Sequence, residues 1–367
     1  MKAEFEKQAL AKALQVVVKT APVRPAIPSL RGVKIVVDDG ATLTTSNQET
    51  TTTTTVNCDT QEAGVVLVPA KIMAEIIPKL PNKPVVLETV DNALHITCGA
   101  SSFTLPAMNI DDYPPTPDLP EYAGVIDSSE FARCVSTVDV AASNDDTLPM
   151  LTGIHILASE QNMRFTATDR FRLGMNHTGW DGTEFTALVP NKAAIDVARL
   201  CDGQPLSIHM GEGVAGFVLD GAQIITRLLS ADFPKVEGLL SKTHANWARI
   251  NRKSLIESVK RVNLISRTVN RVILEIENDS MTITASATED GSATETIECE
   301  ANSGDVSIAF NPSYVIGGLS AMDTEEIVIG YGEPNRPCTI YPGTVETGGQ
   351  LTPPEGTALY LIMPVRL

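Results

Sequence analysis

The chain has 367 residues, with 28 basic against 45 acidic side chains and a formal charge of −17. Its 43% apolar and 20% charged content is that of an ordinary globular protein, which excludes disordered, collagenous and coiled-coil chains. An acidic surface repels phosphate, which argues against a broad DNA-binding face and leaves room for a local basic patch.

The length calls for two or three domains of roughly 100–200 residues each. A membrane span needs about 20 consecutive apolar residues, and none is present; Lys12 and Lys19 bound residues 13–18 and break any signal-peptide core. The six cysteines are far apart with no C-x-x-C pair, which reads as reduced thiols in a cytoplasmic chain with no membrane partner.

Taken in chain order, the predicted elements repeat. Residues 5–20 read as an amphipathic helix, with Phe5, Ala9, Ala13, Val16 and Val17 at helical spacing. An alternating strand pattern at 32–37 follows, and Val68-Pro69-Ala70-Lys71 opens a second helix with proline where a missing N–H costs least. Strand patterns at 85–89 and 93–98 lead through Phe103-Thr104-Leu105-Pro106 to a Pro-rich linker at 113–120. The order then recurs. A helix at 128–143 has Ser128 and Ser129 as caps and Glu130 in its first turn. Strands at 153–157 and 164–168 precede a helix opened by Val189-Pro190-Asn191-Lys192, and strands at 206–210 and 216–219 precede Asp232-Phe233-Pro234 and a second linker at 239–245. The third round has a helix at 251–267, strands at 272–276 and 281–285, a helix opened by Phe310-Asn311-Pro312-Ser313, a strand at 326–330, and Tyr360-Leu361-Ile362-Met363-Pro364.

The first helices start 123 residues apart and the second helices 121 apart. Three repeats of about 122 residues make an α+β fold, each repeat carrying two helices on antiparallel sheets built from hairpins. The domains are expected at 1–120, 121–245 and 246–367.

Charge is divided unevenly. The six predicted helices hold 14 of the 28 basic residues but only 8 of the 45 acidic ones, so they carry +6 and the remainder −23. Lys and Arg are good helix formers, but so is Glu, which is not enriched. If the helices share a face, that face suits a phosphate backbone with little sequence reading. Lys12, Lys71, Lys79, Arg133, Lys192, Arg199, Arg252 and Lys260 are the candidates. No aromatic platform is interleaved with them, which argues against single-strand binding.

Catalytic signatures are missing. Gly211-Glu212-Gly213-Val214-Ala215-Gly216 matches the dinucleotide pattern, but it lies between two predicted strands and reads as a hairpin turn. There is no Walker sequence, no G-x-S-x-G elbow, and no His or Cys spacing suited to a metal. No cofactor, metal or catalytic residue is expected. Two segments stand out for another reason. Thr168-Asp169-Arg170-Phe171-Arg172-Leu173-Gly174 ends a strand of the second repeat, and Tyr360-Leu361-Ile362-Met363-Pro364-Val365-Arg366-Leu367 is too apolar for solvent, so it should pack as a strand or line a groove.

The triple repeat, TDRFRLG in its second copy and the closing YLIMPVRL together resemble the bacterial DNA polymerase III beta subunit family of sliding clamps, of actinobacterial or phage flavour, across the whole chain. The resemblance implies a head-to-tail homodimer, closed as a ring around duplex DNA with helices lining the hole. It implies a cytoplasmic processivity factor that ties the replicative polymerase alpha subunit, the clamp loader, repair polymerases and ligase to DNA. Those partners would enter a hydrophobic pocket through short motifs such as Gln-Leu-x-Leu-Phe. Carried over by position, the pocket comprises Leu151, Thr168, Arg170, Phe171, Arg172, Leu173, Pro234, Leu239, Asn311, Tyr314, Leu361, Ile362, Met363, Pro364, Val365, Arg366 and Leu367. By sequence alone, plain core packing is the better reading of Leu173 and Leu239.

Three departures stand out. Arg170-Phe171 replaces a Gly-His of several relatives, and Gly238 replaces a basic residue of many. The loop at 143–150 is acidic, while Arg24 matches a family arginine that touches DNA. Two other readings stay open: an enzyme with catalysis hidden in clefts, and a monomeric peptide-binding scaffold.

Overall fold

A computed structural model describes residues 1–240, 243–265, 270–277, 279–287, 291–304, 306–343 and 350–366. The chain divides into two compact units, one of residues 1–129 and 196–228, the other of residues 130–195 and from 229 onward.

In the first unit, helices α1 (Lys7–Val17) and α2 (Ala70–Lys79) pack together. They bury Leu10, Leu14, Val17, Met73 and Ile77 into a core shared with Phe5, Val33, Ile35, Leu43, Leu87 and Ile96. The unit holds a five-stranded and an eight-stranded sheet, both antiparallel. The helix expected from residue 5 begins at Lys7. Phe5 instead ends the strand Lys2–Phe5, where Ala3 and Phe5 alternate inward and pairing runs along both sides. The period-2 burial and two flanking strands override a helical reading of one turn.

The eight-stranded sheet joins two repeats. Thr50–Val56 of the first pairs with Ala222–Arg227 of the second, and Thr50 and Thr226 share a buried hydroxyl contact of 3.0 Å. The Gly-Glu-Gly-Val segment is a hairpin turn: Gly211 pairs with Val214, and Gly213 has a φ of +70°, which glycine adopts without strain.

The second unit holds one twelve-stranded sheet. Helix α3 (Ser128–Val138) runs into it, with Phe131 edge-on to Phe165 at 5.6 Å between ring centroids. Helix α4 (Asn191–Ala198) opens after Pro190 as expected. Helices α5 (Arg252–Val262) and α6 (Pro312–Ala321) pack together, each capped by an asparagine: Asn251 accepts the Ser254 N–H and Asn311 the Ser313 N–H. The helix expected at 251–267 ends at Val262, and its positions 266 and 267 lie outside the described residues. The compact units do not follow the repeats. The central repeat gives strands such as Pro205–Gly211 to the eight-stranded sheet and others such as Asn162–Thr168 to the twelve-stranded one, because each sheet continues across a repeat boundary.

Among the described residues, no helix is long and apolar enough to cross a membrane and no group of three metal-ligating side chains is placed to hold an ion. The six thiols are free.

Candidate peptide-binding site and basic helix faces

The two segments singled out in sequence meet in one hairpin-like pair. Arg172–Gly179 runs antiparallel to Leu359–Ile362, with Leu173 opposite Leu361 and Arg172 opposite Ile362. Beneath them lies a small buried cluster of Leu173, Met175, Val236 and Leu361, rimmed by half-buried Phe233, Leu240, Leu359 and Met363. The edge is apolar and open: Phe171, Leu239 and Val365 are 54%, 51% and 38% exposed. Single exposed apolar side chains are ordinary; it is their grouping beside a packed apolar cluster that makes this edge a candidate interaction site.

The turn from Thr168 to Arg172 is locked. The Asp169 carboxylate accepts the N–H groups of Phe171 and Arg172 at 2.9 and 3.0 Å, and its other oxygen accepts Arg172 Nε at 2.8 Å. Thr168 Oγ1 accepts the Arg170 N–H and donates to the Arg172 carbonyl. Arg170 adopts the left-handed φ of +80°, a conformation that an L side chain enters at a cost. The turn is held from the other side as well, because the Phe171 carbonyl accepts the Met363 N–H at 2.8 Å.

Tyr314, in the first turn of α6, faces this turn. Its ring stacks against Phe171 with centroids 6.5 Å apart, and the Arg172 guanidinium lies 4.4 Å over it. Its backbone carbonyl accepts the buried Tyr360 hydroxyl at 3.1 Å. Burial raises the Tyr314 hydroxyl pKa, the Asp169 charge adds to the rise, and Arg172 opposes it.

The structure sorts the family-implied pocket residues into two kinds. Leu151, Thr168, Leu173, Leu361 and Ile362 are buried. For Leu173, 1% exposed, the core-packing alternative therefore holds, and these five form the support rather than a contact surface. For Leu239 the same alternative fails, since half of it is bare. Arg170, Phe171, Leu239, Val365 and Arg366 are exposed, while Arg172, Pro234, Asn311, Tyr314, Met363 and Pro364 are half-buried. Leu367 lies outside the described residues. The tail does form a strand, and Val365 beyond it bonds the Ala309 carbonyl. Asp169, Phe233, Val236 and Tyr360 were missed as site residues. Only Asp169 carried a local signal, an aspartate placed to accept N–H groups two and three residues on.

The basic candidates divide too. Arg24, Lys12, Lys71, Lys192 and Lys260 are exposed. Lys12 lines a cavity of about 410 Å³ with Lys19, and Arg199 in the same wall is paired to Asp196 at 3.2 Å. Lys79 borders a recess of about 300 Å³ with Ile72, Ile76 and Phe103. Two candidates are committed elsewhere. Arg133 pairs with Glu130 at 2.6 Å and donates to Asn176 Oδ1 and the His177 carbonyl. Arg252 Nε and Nη1 donate to the carbonyls of Thr324 and Leu319, closing the C-terminal end of α6. A helix cation is read by sequence as a surface charge, yet carbonyls left open by a neighbouring helix bind it first.

Comparison with known proteins fits this geometry. The N-terminal, central and C-terminal domain profiles of the DNA polymerase III beta subunit match residues 1–117, 125–235 and 238–354. The beta sliding clamp of Streptomyces coelicolor is 32% identical over the full length of both chains. A beta sliding clamp homolog, GriR, from Streptomyces muensis is 31% identical over all of this chain and 99% of its own. The Pseudomonas aeruginosa sliding clamp, solved bound to griselimycin, superposes with a TM-score of 0.91 over the whole of both chains at 24% identity, a likeness of fold.

Three α+β repeats joined edge to edge by continuous antiparallel sheets define a sliding clamp. The chain belongs to the DNA polymerase III beta subunit family, the non-catalytic subunit that confers processivity on the polymerase.

Proposed function

We propose that the chain acts in the cytoplasm as a head-to-tail homodimeric ring around duplex DNA, and that partners dock at the apolar edge beside Leu173 and Leu361. Its three repeats would span residues 1–120, 121–245 and 246–367. The pairing of Arg172–Gly179 with Leu359–Ile362 carries the docking reading, because it builds the apolar cluster of Leu173, Met175, Val236 and Leu361 with Met363 packed against it, and the exposed Phe171 and Leu239 adjoin that cluster's residues in the chain. Short peptides with Leu and Phe anchors suit such a groove. The polymerase alpha subunit, clamp loader, repair polymerases and ligase are the partner class.

The repeats themselves support ring closure. Thr50–Val56, Arg172–Gly179 and Gly291–Ala301 hold the same place in successive repeats, and so do Ser101–Pro106, Ala222–Arg227 and Leu359–Ile362. The first kind pairs with the second kind of the next repeat at both internal boundaries. Two strands are left over. Ser101–Pro106 ends the five-stranded sheet, and residues 291–298 of Gly291–Ala301 pair only with Ser280–Ala287 among the described residues. An open edge is a template for a second chain, and Ile72 and Phe103 stand beside this one at 49% and 41% exposure. A second copy offering Gly291–Ala301 satisfies both edges. Once DNA is encircled, retention is topological, so Arg24, Lys12, Lys71, Lys192 and Lys260 need only weak, salt-dependent contacts within an acidic body.

The test is fluorescence anisotropy with a labelled Gln-Leu-Ser-Leu-Phe peptide against the intact chain and a variant lacking residues 363–367. Saturable binding that truncation abolishes is the expected result, and equal affinity in both overturns the site. Solution mass of Phe103→Glu tests the ring: a shift from dimer to monomer is expected, and an unchanged dimer overturns the edge assignment.

A further inference from the structure

Residues 233–240 cross one face of the strands Gly153–Ser159, Asn162–Thr168 and Arg172–Gly179 as a strap, and three side chains tie them to it. The Phe233 ring lies flat on the His155 ring, with centroids 4.8 Å apart and planes 7° apart. Val236, 3% exposed, packs into the cluster of Leu173, Met175 and Leu361. Glu237 Oε1 accepts Arg164 Nη2 at 3.1 Å. The half-bare Leu239 follows in the same short turn, Glu237–Leu239. The first repeat holds its matching segment differently. Asp112-Tyr113-Pro114 stands 120 residues before Asp232-Phe233-Pro234, and the buried Tyr113 hydroxyl donates to the Thr44 carbonyl at 3.2 Å. Thr44 also shares a hydroxyl contact of 3.2 Å with Thr53, its partner across the strand pair. In the second repeat Phe233 has no hydroxyl to give, and the cross-strand partner of Thr166 is Met175. Thr166 Oγ1 and Arg164 Nε are buried with no hydrogen-bond partner among the described residues. Orphaned polar atoms oppose close packing above them, so the strap depends on its three ties.

We infer that Arg164 and His155 are positioning residues for docking: they clasp the strap to the sheet and so set the groove wall that carries Pro234 and Leu239. This rests on the docking reading above. The opposite wall is a strand pair fixed by backbone bonds, whereas the strap is held by one ion pair, one ring stack and one buried valine. The ion pair is 22% and 61% exposed on its two sides, so it is weak and screened by salt. Burial lowers the His155 pKa, Arg164 adds to that and Glu237 opposes it, so the stacked ring is neutral at pH 7.5. Arg164 lies opposite Leu157 and His177 within the sheet, and His155 opposite Thr166 and Leu188, so both act on a peptide through the strap. A wall already in place before the peptide arrives lowers the cost of binding, and a loosened wall must be ordered first.

The experiment titrates labelled Gln-Leu-Ser-Leu-Phe at pH 7.5 against the intact chain, Glu237→Gln, Arg164→Gln, the double variant, His155→Ala and His155→Phe, with anisotropy as the readout. Each single clasp variant should weaken binding by up to about fivefold. The double variant should bind no more weakly than either single one, because only one clasp is lost. Raising the salt concentration should narrow the gap between the intact chain and Glu237→Gln, which a loss of folding would not do. His155→Ala should weaken binding several-fold through the lost stack, and His155→Phe should restore it. Glu237 is largely exposed, so Glu237→Gln tests the clasp even where Arg164→Gln disturbs the sheet. Intact affinity in Glu237→Gln and His155→Ala overturns the inference and leaves the docking site standing. Losses that add in the double variant also overturn it, since the two side chains then act separately. Failure of the peptide to bind the intact chain overturns the docking reading and the inference together.

Discussion

Replacing Asp169 with alanine should unlatch the docking turn. Its carboxylate accepts two backbone N–H groups and one guanidinium N–H within 3.0 Å, and the Asp169 and Arg172 side chains are only 11% and 16% exposed. Hydrogen bonds to a charged group contribute about 1.5–3 kcal/mol each. Water reaches a surface turn and replaces part of that, and an ion pair near the surface adds about 1 kcal/mol or less. The net loss should therefore be about 2–4 kcal/mol. For a cooperative unit of some 150–250 residues, each kcal/mol lowers Tm by roughly 2–4 °C, so a fall of roughly 4–16 °C is expected by calorimetry. Asp169→Asn keeps an oxygen for the two backbone donors but turns an amide toward Arg172, and should lose about half as much. Affinity for Gln-Leu-Ser-Leu-Phe should fall several-fold in Asp169→Ala, since a freed Phe171 must be ordered on binding at about 0.5–1.5 kcal/mol. A Tm within one degree of the parent, with unchanged peptide affinity, would refute the claim that this carboxylate holds the turn.

Other consequences follow from single contacts. A Cβ at Gly318 would lie 2.2 Å from two carbons of the buried Tyr360 ring, so Gly318→Ala should cost at least the 1–3 kcal/mol typical of overpacking, read as a lower midpoint in urea. Arg252→Ala should destabilise by about 1–3 kcal/mol through the lost carbonyl bonds and leave the salt dependence of DNA binding unchanged. Lys260→Ala should do the reverse, lowering the slope of log K against log salt by about 0.9 if it meets one phosphate. Burial lowers the pKa of His244, whose Nε2 lies 3.0 Å from the Tyr341 hydroxyl. The unfolded chain then takes up a proton near pH 6.5 that the folded chain refuses, so stability should be level above that pH and decline below it. Burial lowers His155 and His177 as well, so denaturation midpoints from pH 7.5 to 5 should show a decline that His244→Gln makes shallower without abolishing it.

Much of the architecture was legible because its causes are local. The helical spacing of Leu255, Val259 and Val262 points to a helix from local pattern alone, and Pro69, Pro190 and Pro312 mark helix starts by their missing N–H. The Glu212-Gly213 turn was legible because only a glycine takes its positive φ freely. The Lys2–Phe5 strand was not, since four residues carry too short a pattern to outweigh the helix that follows. Nor could sequence separate Arg252 from Lys260. Both are cations on α5, and only the end of α6, with carbonyls 67 and 72 residues beyond Arg252, decides which one is consumed.

The docking edge marks the boundary between the two kinds of information. The sequence by itself determined that the chain is three α+β repeats with basic helices in an acidic body, and that TDRFRLG and YLIMPVRL are unusual, because periodicity, charge and turn chemistry are properties of neighbours in the chain. Only the tertiary structure decided that Leu173 lies opposite Leu361, that both are buried, and that Phe171 and Leu239 are left bare at the rim. Strand pairing across nearly 190 residues depends on which sheet edges remain open after each repeat has folded, and no local pattern encodes that choice.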